Sequence, residues 1–229
     1  MFEDYKLLKQ LTSQMYLGAR EILIRDELGN SHLDGLGNII HQVNKFNKNL
    51  PTIIYMAHYD VVDEKVSNVI DNLASVVNLI EFSKRNKNYE GKNIFAIFTN
   101  YEELASFEKA GSRLIAKQID EGIYGNVELV VNLELTSIGR HLWVNNYPKL
   151  ALDDIDHIES TTPFNDAYVI NRCGTTAICI GTLDFPNLLH VRKNNYCKLW
   201  SLCHKDSDLY SKEDMEYFVR KTMPKFLNT

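Results

Sequence analysis

The sequence predicts an α/β fold in which helices cover both faces of a largely parallel sheet, giving three layers. Two kinds of segment predict it. One kind is a short apolar run rich in β-branched residues, typical of a buried strand, and the other is a longer segment whose apolar residues recur at helical spacing. The two kinds alternate along the chain, which is typical of an α/β fold. No repeat, low-complexity tract or linker interrupts the 229 residues, so we predict a single domain over residues 1–229.

The predicted strands are short and mostly apolar, as expected for strands buried on both faces. They cover residues 39–43, 52–56, 93–99, 127–135, 141–145, 175–181 and 198–203. The polar segment 44–50, which ends just before Pro51, is predicted to be a hairpin loop between the first two strands.

The predicted helices show apolar residues at a spacing of three or four. They cover residues 2–15, 19–28, 70–85, 107–118 and a last helix from Ser211 to Pro224. Asp71 is placed as a cap or first-turn acid of the third helix. Ser211, with Asp214 three residues later, is placed as the cap of the last.

Composition narrows the function classes. The net charge is -5, and Lys and Arg are scattered, which argues against a nucleic-acid partner. No apolar run approaches the roughly 18 residues that a membrane span requires. The N-terminus mixes acids and bases and has no apolar secretory core. We therefore expect a cytoplasmic protein without a membrane partner.

The four cysteines are Cys173, Cys179, Cys197 and Cys203. In a reducing compartment we expect mostly free, buried thiols. Two alternatives stay open. Cys197, Cys203 and His204 form a conceivable zinc cluster, although their spacing fits no common structural pattern. A disulfide between Cys197 and Cys203 is the alternative for an exported protein.

The segment that guides the functional interpretation is Ala57-His58-Tyr59-Asp60, which follows the apolar strand 52–56. Most candidate site residues follow a predicted strand in this way. In a parallel sheet those strand ends share one edge, where ligands bind. The candidates at strand ends are His58, Glu102, Glu103, Glu134 and His204; Asp71 and Asp208 lie nearby in the sequence.

Carboxylates gathered at one edge repel each other, and divalent cations remove that repulsion. Imidazole and carboxylate ligands suit zinc, which keeps an open position when catalytic. Asp71 is placed to bridge two ions, and Asp60 to fix the ring of His58. A metal-bound water with a lowered pKa would be the nucleophile, and Glu102 would take its proton.

Each residue alone also has a structural interpretation. His58 could be a core histidine, the pair Glu102 and Glu103 a solvated loop, and Asp71 a helix cap. His204 could be a surface residue, and Asp208 is better explained as a local turn or supporting group than as a ligand. The metal interpretation depends on their occurring together at strand ends.

The ordered set of motifs resembles the M28 family of zinc aminopeptidases. The motifs are Ala57-His58-Tyr59-Asp60, Asp71-Asn72, Glu102-Glu103 with Gly111-Ser112, Asn132-Leu133-Glu134 and His204-Lys205-Asp206-Ser207-Asp208, with weaker matches at Asp34-x-x-Gly37-Asn38 and at Phe164-Asn165-Asp166 with Gly174. The resemblance implies a three-layer α/β/α sandwich around a mixed sheet and the hydrolysis of N-terminal residues from peptides or aminoacyl substrates.

The resemblance also implies roles for individual residues. One of two Zn²⁺ ions would be held by His58, Asp71 and Glu134, and the other by Asp71, Glu103 and His204. Glu102 would be the general base, and Asp60 would be the partner of His58. Co²⁺ or Mn²⁺ also suit such mixed sites. Asp166 is a candidate for orienting the substrate or His204. The oligomeric state is not predicted.

This chain departs from the family pattern at three places. Glu134 stands where the family usually has Asp, and Leu73-Ala74-Ser75 and Leu104-Ala105-Ser106 replace glycine-rich segments. These departures bear on substrate specificity more than on metal binding.

Two other functions are compatible with parts of this pattern. A glutaminyl-cyclase-like enzyme would use one zinc for intramolecular acyl transfer. A non-catalytic metal- or peptide-binding member would have lost activity, which the presence of Glu102 disfavours. The related M20 family normally carries an added dimerisation domain, for which this chain lacks the length.

Overall fold

A computed structural model describes residues 5–13, 17–62, 68–103, 106–203 and 209–228. These residues form an eight-stranded sheet with helices on both faces, as predicted. The strands are β1 (His32–Leu33), β2 (Ile39–Gln42), β3 (Thr52–His58), β4 (Asn93–Thr99), β5 (Val127–Leu133), β6 (His141–Asn145), β7 (Ile158–Glu159) and β8 (Ala177–Leu183). Their order is β1-β2-β4-β3-β5-β8-β6-β7.

The four central strands, β4, β3, β5 and β8, are mutually parallel, while β2 and β6 run antiparallel to their central neighbours. Every residue of β3, β4 and β8 is buried. Helices on both faces exclude water from these strands, which explains their nearly continuous apolar sequence.

The helices are α1 (Tyr5–Ser13), α2 (Leu17–Leu28), α3 (Ala74–Arg85), α4 (Gly111–Asp120), α5 (Asp166–Arg172), α6 (Phe185–Asn194) and α7 (Lys212–Tyr217). The apolar residues of α1, α2, α3 and α7 pack on one face of the sheet. Those of α4, α5 and α6 pack on the other. Among the described residues, no helix is long and apolar enough to cross a membrane.

The predicted hairpin between β2 and β3 is wrong. β2 pairs antiparallel with β4, with Ile40 opposite Ile97, so β4 lies between β2 and β3. The connecting loop is held by the residues around the start of β4 instead. Asn44 accepts from the amide of Ile94 at 2.8 Å, and Asn93 donates to the carbonyl of Asn47 at 3.0 Å.

The predicted strand over residues 198–203 is also wrong. The chain forms a 3₁₀ helix there, Lys198–Leu202, in which the Ser201 hydroxyl donates to the Lys198 carbonyl at 2.8 Å. Trp200 packs edge-on against Trp143 of β6, with the ring centroids 6.0 Å apart. Leu199 is therefore buried, and Trp200 and Leu202 partly buried, by tertiary contact rather than by strand pairing.

The last helix begins as predicted, because the Ser211 hydroxyl accepts from the amide of Asp214 at 3.3 Å. Pro224 does not end the helical region. Further helical turns run from Phe218 to Thr222 and from Met223 to Asn228. Proline fits the second of these because it lies in the first turn, where its missing N–H is not needed.

Candidate active site

The carboxyl ends of β3, β4 and β5 bring the predicted residues to one edge of the sheet. His58 ends β3 and pairs with Thr99, which ends β4 immediately before the segment carrying Glu102 and Glu103. Glu134 follows β5 and donates its amide to the carbonyl of Ile180 in β8 at 2.9 Å. Neighbouring parallel strands thus fix all three positions, as expected from the sheet geometry.

The imidazole of His58 is buried between two carboxylates. Its Nε2 atom lies 3.0 Å from Oδ1 of Asp71 and 3.6 Å from Oε2 of Glu134. Ligand atoms of His58, Asp71 and Glu103 all lie within 4.8 Å of one another. Within the described part of the chain, this is the one group of three or more metal-type donors found so close together.

Asp71 reaches this cluster from an irregular turn, Val69–Leu73, and not as the predicted cap or first-turn acid of the third helix. Its backbone is non-helical (φ -127°, ψ 87°), and the peptide bond between Asp71 and Asn72 is cis. Helix α3 begins only afterwards, and Leu73 at its start makes no side-chain cap. Asn72 anchors the turn by donating to the carbonyl of Leu133 at 2.8 Å.

Asp60 contacts the other side of the His58 ring. Its backbone carbonyl lies 3.2 Å from Nδ1, and its Oδ1 atom lies 3.5 Å from Nδ1. The second carboxylate oxygen accepts from the amide of Glu103 at 3.1 Å. Asp60 therefore orients the imidazole and also holds the loop that carries Glu103, the kind of support that metal-ligating histidines receive.

Glu134 presents one carboxylate oxygen without a hydrogen-bond partner. Oε1 accepts from the side-chain amide of Asn132 at 3.0 Å. Oε2 is buried and has no hydrogen-bond partner among the described residues; it faces Nε2 of His58. A buried carboxylate oxygen in this state is costly unless a cation or proton compensates it. The donor set therefore fits a metal ion.

Electrostatics leads to the same conclusion. Burial raises the pKa of Glu134 to about 7, and the charges of Asp71 and Asp166 raise it further against the opposing effect of His58. Burial also raises the pKa of Glu102 well above its usual range. Burial lowers the pKa of His58, but Glu134, Asp60 and Asp71 outweigh it and raise that pKa strongly. A divalent cation would relieve this excess of negative charge.

Asp166, the predicted orienting residue, lies at the start of α5 and is fully buried. The Thr99 hydroxyl donates to its Oδ2 atom. Burial raises the pKa of Asp166, and the charge of Asp166 in turn acts on Glu102 and Glu134. Asp166 thus joins Asp71, Glu102 and Glu134 in a group of acidic side chains that interact electrostatically with His58.

Asn38 and Gly111 shape the site, although neither was predicted to have a role there. Asn38 accepts from the amide of Asn100 at 3.0 Å and donates to the carbonyl of Gly111 at 3.1 Å. A Cβ on Gly111 would lie 2.2 Å from the Asn38 side chain and 2.3 Å from the Asn100 carbonyl. These contacts position the start of the loop that carries Glu102 and Glu103. The only sequence signal was their presence in the family motifs.

Some predicted residues lie outside the described part of the chain: His204 and Asp208, and also Leu104 and Ala105, which belong to a segment that differs from the family pattern.

The four cysteines are free, as predicted. Only Cys179 and Cys197 are fully buried, whereas Cys173 is exposed and Cys203 half-buried. The structure has no disulfide between Cys197 and Cys203.

Solved structures with this fold include peptidases and cyclases. LapA aminopeptidase of Legionella pneumophila is 15% identical with a TM-score of 0.66, covering 94% of this chain and 68% of that one. BSAP, a zinc aminopeptidase of Bacillus subtilis, is 20% identical with a TM-score of 0.61, covering 80% of this chain and 47%, about half, of that one. A glutaminyl cyclase of Bacteroides thetaiotaomicron is 15% identical with a TM-score of 0.69, covering 99% and 97%.

At these identities the likeness establishes the fold. No curated protein sequence matches the chain. The sequence profile of peptidase family M28, however, matches residues 38–178, more than half of the chain, and this stretch includes every proposed site residue from His58 to Asp166. The chain therefore belongs to peptidase family M28.

Proposed function

We propose that this protein is a dinuclear zinc aminopeptidase that hydrolyses the N-terminal residue of peptides. One observation supports the proposal: Asp71, Glu103 and Glu134 converge on the buried imidazole of His58, and one oxygen of Glu134 has no hydrogen-bond partner among the described residues. Membership of a peptidase family and the aminopeptidases among its structural neighbours support it.

The donors divide between two ions. His58, Asp71 and Glu134 would hold one ion, and Asp71, Glu103 and His204 the other, with Asp71 as the bridge. Imidazole and carboxylate are ligands that zinc accepts, and Co²⁺ or Mn²⁺ would also suit them. Zinc would supply Lewis-acid chemistry, polarising the scissile carbonyl and lowering the pKa of water.

Glu102 is the group that moves the proton. It adjoins Glu103 in sequence, and burial raises its pKa well above that of an exposed glutamate. A general base works best when its pKa lies near the working pH, because it must both accept and release a proton. Glu102 takes the proton of the attacking water and passes it to the leaving amine, while Asp60 keeps the His58 ring in place.

The test is a Glu102→Gln variant, which keeps the shape and removes the base. We expect kcat on a panel of aminoacyl chromogenic substrates to fall by roughly 10²–10⁴-fold, while elemental analysis still finds two zinc ions per chain. Glu90→Gln is the matched control, since Glu90 is exposed and has no ion-pair partner among the described residues. Unchanged turnover in Glu102→Gln would refute the proposed role.

A glutaminyl-cyclase-like function is the second candidate. The described residues contain one three-donor cluster, which a single ion would fill, and a cyclase aligns over nearly all of both chains. One zinc per chain, with cyclisation of N-terminal glutamine and no hydrolysis of the chromogenic panel, would select this candidate. A protein that binds no zinc after reconstitution would instead be a non-catalytic family member.

A further inference from the structure

A small cavity lies beside β7, the last strand of the sheet. Helix α6 from one face of the sheet and the helical turns after α7 from the other face both contribute to its wall. The buried part of its lining consists of Leu142, Leu188 and Thr222. None of its described lining residues is a proposed metal ligand or the proposed general base, so the cavity is separate from the candidate active site.

Basic side chains from four parts of the chain line this cavity. They are Arg140 and His141 at the start of β6, His157 before β7, Arg192 in the last turn of α6 and Lys225 in the helical turn Met223–Asn228. The two arginines and the lysine are positively charged at neutral pH, and Asp156 is the one acid among the described lining residues. The whole chain has a net charge of -5, so this excess of positive charge is local and attracts anions.

The guanidinium of Arg140 is already held at the wall of the cavity. Its Nε atom donates to Oδ1 of Asp214 at 2.8 Å, and its central carbon lies 5.3 Å from the centroid of the Tyr217 ring, which also lines the cavity. A side chain that is fixed before binding loses less conformational entropy when a ligand arrives.

Arg192 and Lys225 differ from Arg140 in their surroundings. Both are exposed, and neither has an ion-pair partner among the described residues. No carboxylate in that part of the chain therefore competes directly with an anion for these two cations.

We propose that this cavity binds a tetrahedral oxyanion, either free phosphate or the phosphoryl group of a phosphate monoester. A phosphate monoester carries a charge of about -1.5 to -2 at pH 7 and presents three strong acceptor oxygens, which suit an arginine fork together with a lysine ammonium. The cavity volume of about 120 Å³ is well below the roughly 300–1,000 Å³ of pockets for drug-sized ligands. Only the phosphoryl group would therefore enter, and the rest of a monoester would extend into solvent.

Isothermal titration calorimetry on the full chain, purified without chelator, tests the ligand class. Inorganic phosphate, glycerol phosphate and acetate are titrated separately at constant ionic strength. We expect saturable binding of phosphate, and binding of acetate at least about tenfold weaker, because a single carboxylate carries less charge and fewer acceptors. Tighter binding of glycerol phosphate than of inorganic phosphate would identify a monoester as the ligand, and the reverse order would identify the free ion. Equal binding of acetate and phosphate, or no phosphate binding at millimolar concentration, would overturn the proposal.

Charge-removing variants place the bound anion. Arg192→Gln and Lys225→Gln each remove one positive charge from an exposed side chain, so both should fold, and we expect each to weaken phosphate binding by at least about tenfold. Arg172→Gln and Lys48→Gln are the matched controls. Arg172 lies in the last turn of α5 as Arg192 does in α6, and both control residues are exposed and lie outside the cavity. Equal phosphate affinities in Arg192→Gln and Arg172→Gln would overturn the proposal.

Chelator distinguishes this cavity from phosphate binding at the proposed metal centre. Phosphate held by metal would be lost on adding chelator and retained in Arg192→Gln, whereas the cavity predicts retention in chelator and loss in Arg192→Gln. The first pattern would overturn this inference and leave the proposed metal-dependent function standing.

Discussion

Burial of the Glu134 carboxylate costs stability when the group is charged, and we propose that the same carboxylate binds a metal ion. Its carboxylate is buried among Asp71, Asp166 and His58, and its pKa in the folded chain is about 7, against 4.5 for the ordinary group. Between about pH 4.5 and pH 7, Glu134 therefore holds a proton in the metal-free folded state and loses it in the unfolded state. A cation at this site would favour the charged form instead.

The pH dependence of the metal-free protein follows from this shift. Because the folded pKa is raised, the stabilisation is fully present below pH 4.5 and is lost as the pH rises through about 7. The raised pKa of His58 acts in the same direction. We expect the free energy of unfolding in chelator to fall by roughly 2–3 kcal/mol between pH 5 and pH 8 from Glu134 alone. Urea denaturation at the two pH values measures it.

Glu134→Gln should have opposite effects on the stability of the metal-free protein and on its affinity for zinc. At pH 8 the metal-free variant should be more stable than the parent, because no buried charge forms, and its stability should vary less with pH. Its zinc affinity should nevertheless fall by more than about 10-fold, since loss even of a supporting group costs 10–100-fold. Glu90→Gln should change neither quantity. A variant that lost both stability at pH 8 and zinc affinity would show that Glu134 is a structural residue.

At the scale of secondary-structure elements, Gly181 allows β8 to pack directly against the backbone of Glu134. A Cβ on Gly181 would lie 2.1 Å from the carbonyl oxygen of Glu134 and 2.5 Å from the ring of Trp143. Both neighbours belong to packed strands or strand ends and have little freedom to move. The glycine is what allows β8 to approach the end of β5 so closely.

We expect Gly181→Ala to destabilise the protein by about 1–3 kcal/mol through overpacking and to weaken zinc binding by displacing Glu134. Gly18→Ala is the matched control, because Gly18 lies in α2 and a Cβ added there would meet no atom within 4 Å. That change should stabilise slightly, by up to about 1 kcal/mol. Thermal denaturation and zinc titration of both variants measure the difference, and equal effects would contradict the explanation.

Secondary-structure elements differ in how well the sequence alone predicts them. The strands at 93–99 and 141–145 were predicted because their apolar pattern is local. The hairpin at 44–50 and the strand at 198–203 were wrong because they depend on distant partners, β4 in one case and Trp143 in the other. Asp71 resembled a helix cap because an irregular turn before a helix leaves no distinct pattern in the sequence.

The candidate site was predictable where strand ends carry acids or histidine. His58 and Glu103, which lie at or after the ends of β3 and β4, do come together, and Asp71 joins them from the turn before α3. Asn38 and Thr99 were missed, because amides and hydroxyls that orient a loop or a buried acid are not distinguishable in sequence from ordinary polar residues. Their roles required the hydrogen bonds to Asn100 and Asp166.

At the scale of the whole molecule, zinc should act as a stabiliser. A ligand that binds only the folded state stabilises it by about 2.7 kcal/mol when present at 100 times its Kd. For a chain of this size each kcal/mol raises the Tm by roughly 2–4 °C. We therefore expect a rise of roughly 5–10 °C in the zinc-loaded protein, reversed by chelator. A Tm that does not respond to zinc would count against a metal centre in the core of the fold.

The position of β4 between β2 and β3 also has a consequence for the order of folding. Only residues 43–51 join β2 to β3, yet the two strands cannot complete the sheet until β4 enters between them. A chain emerging from the ribosome would therefore hold two hydrophobic strands with open edges until residue 99 had been made. Such a pairing over a long sequence separation slows folding and leaves edges that can associate with other chains. The nascent N-terminal half is where we expect chaperones to be needed.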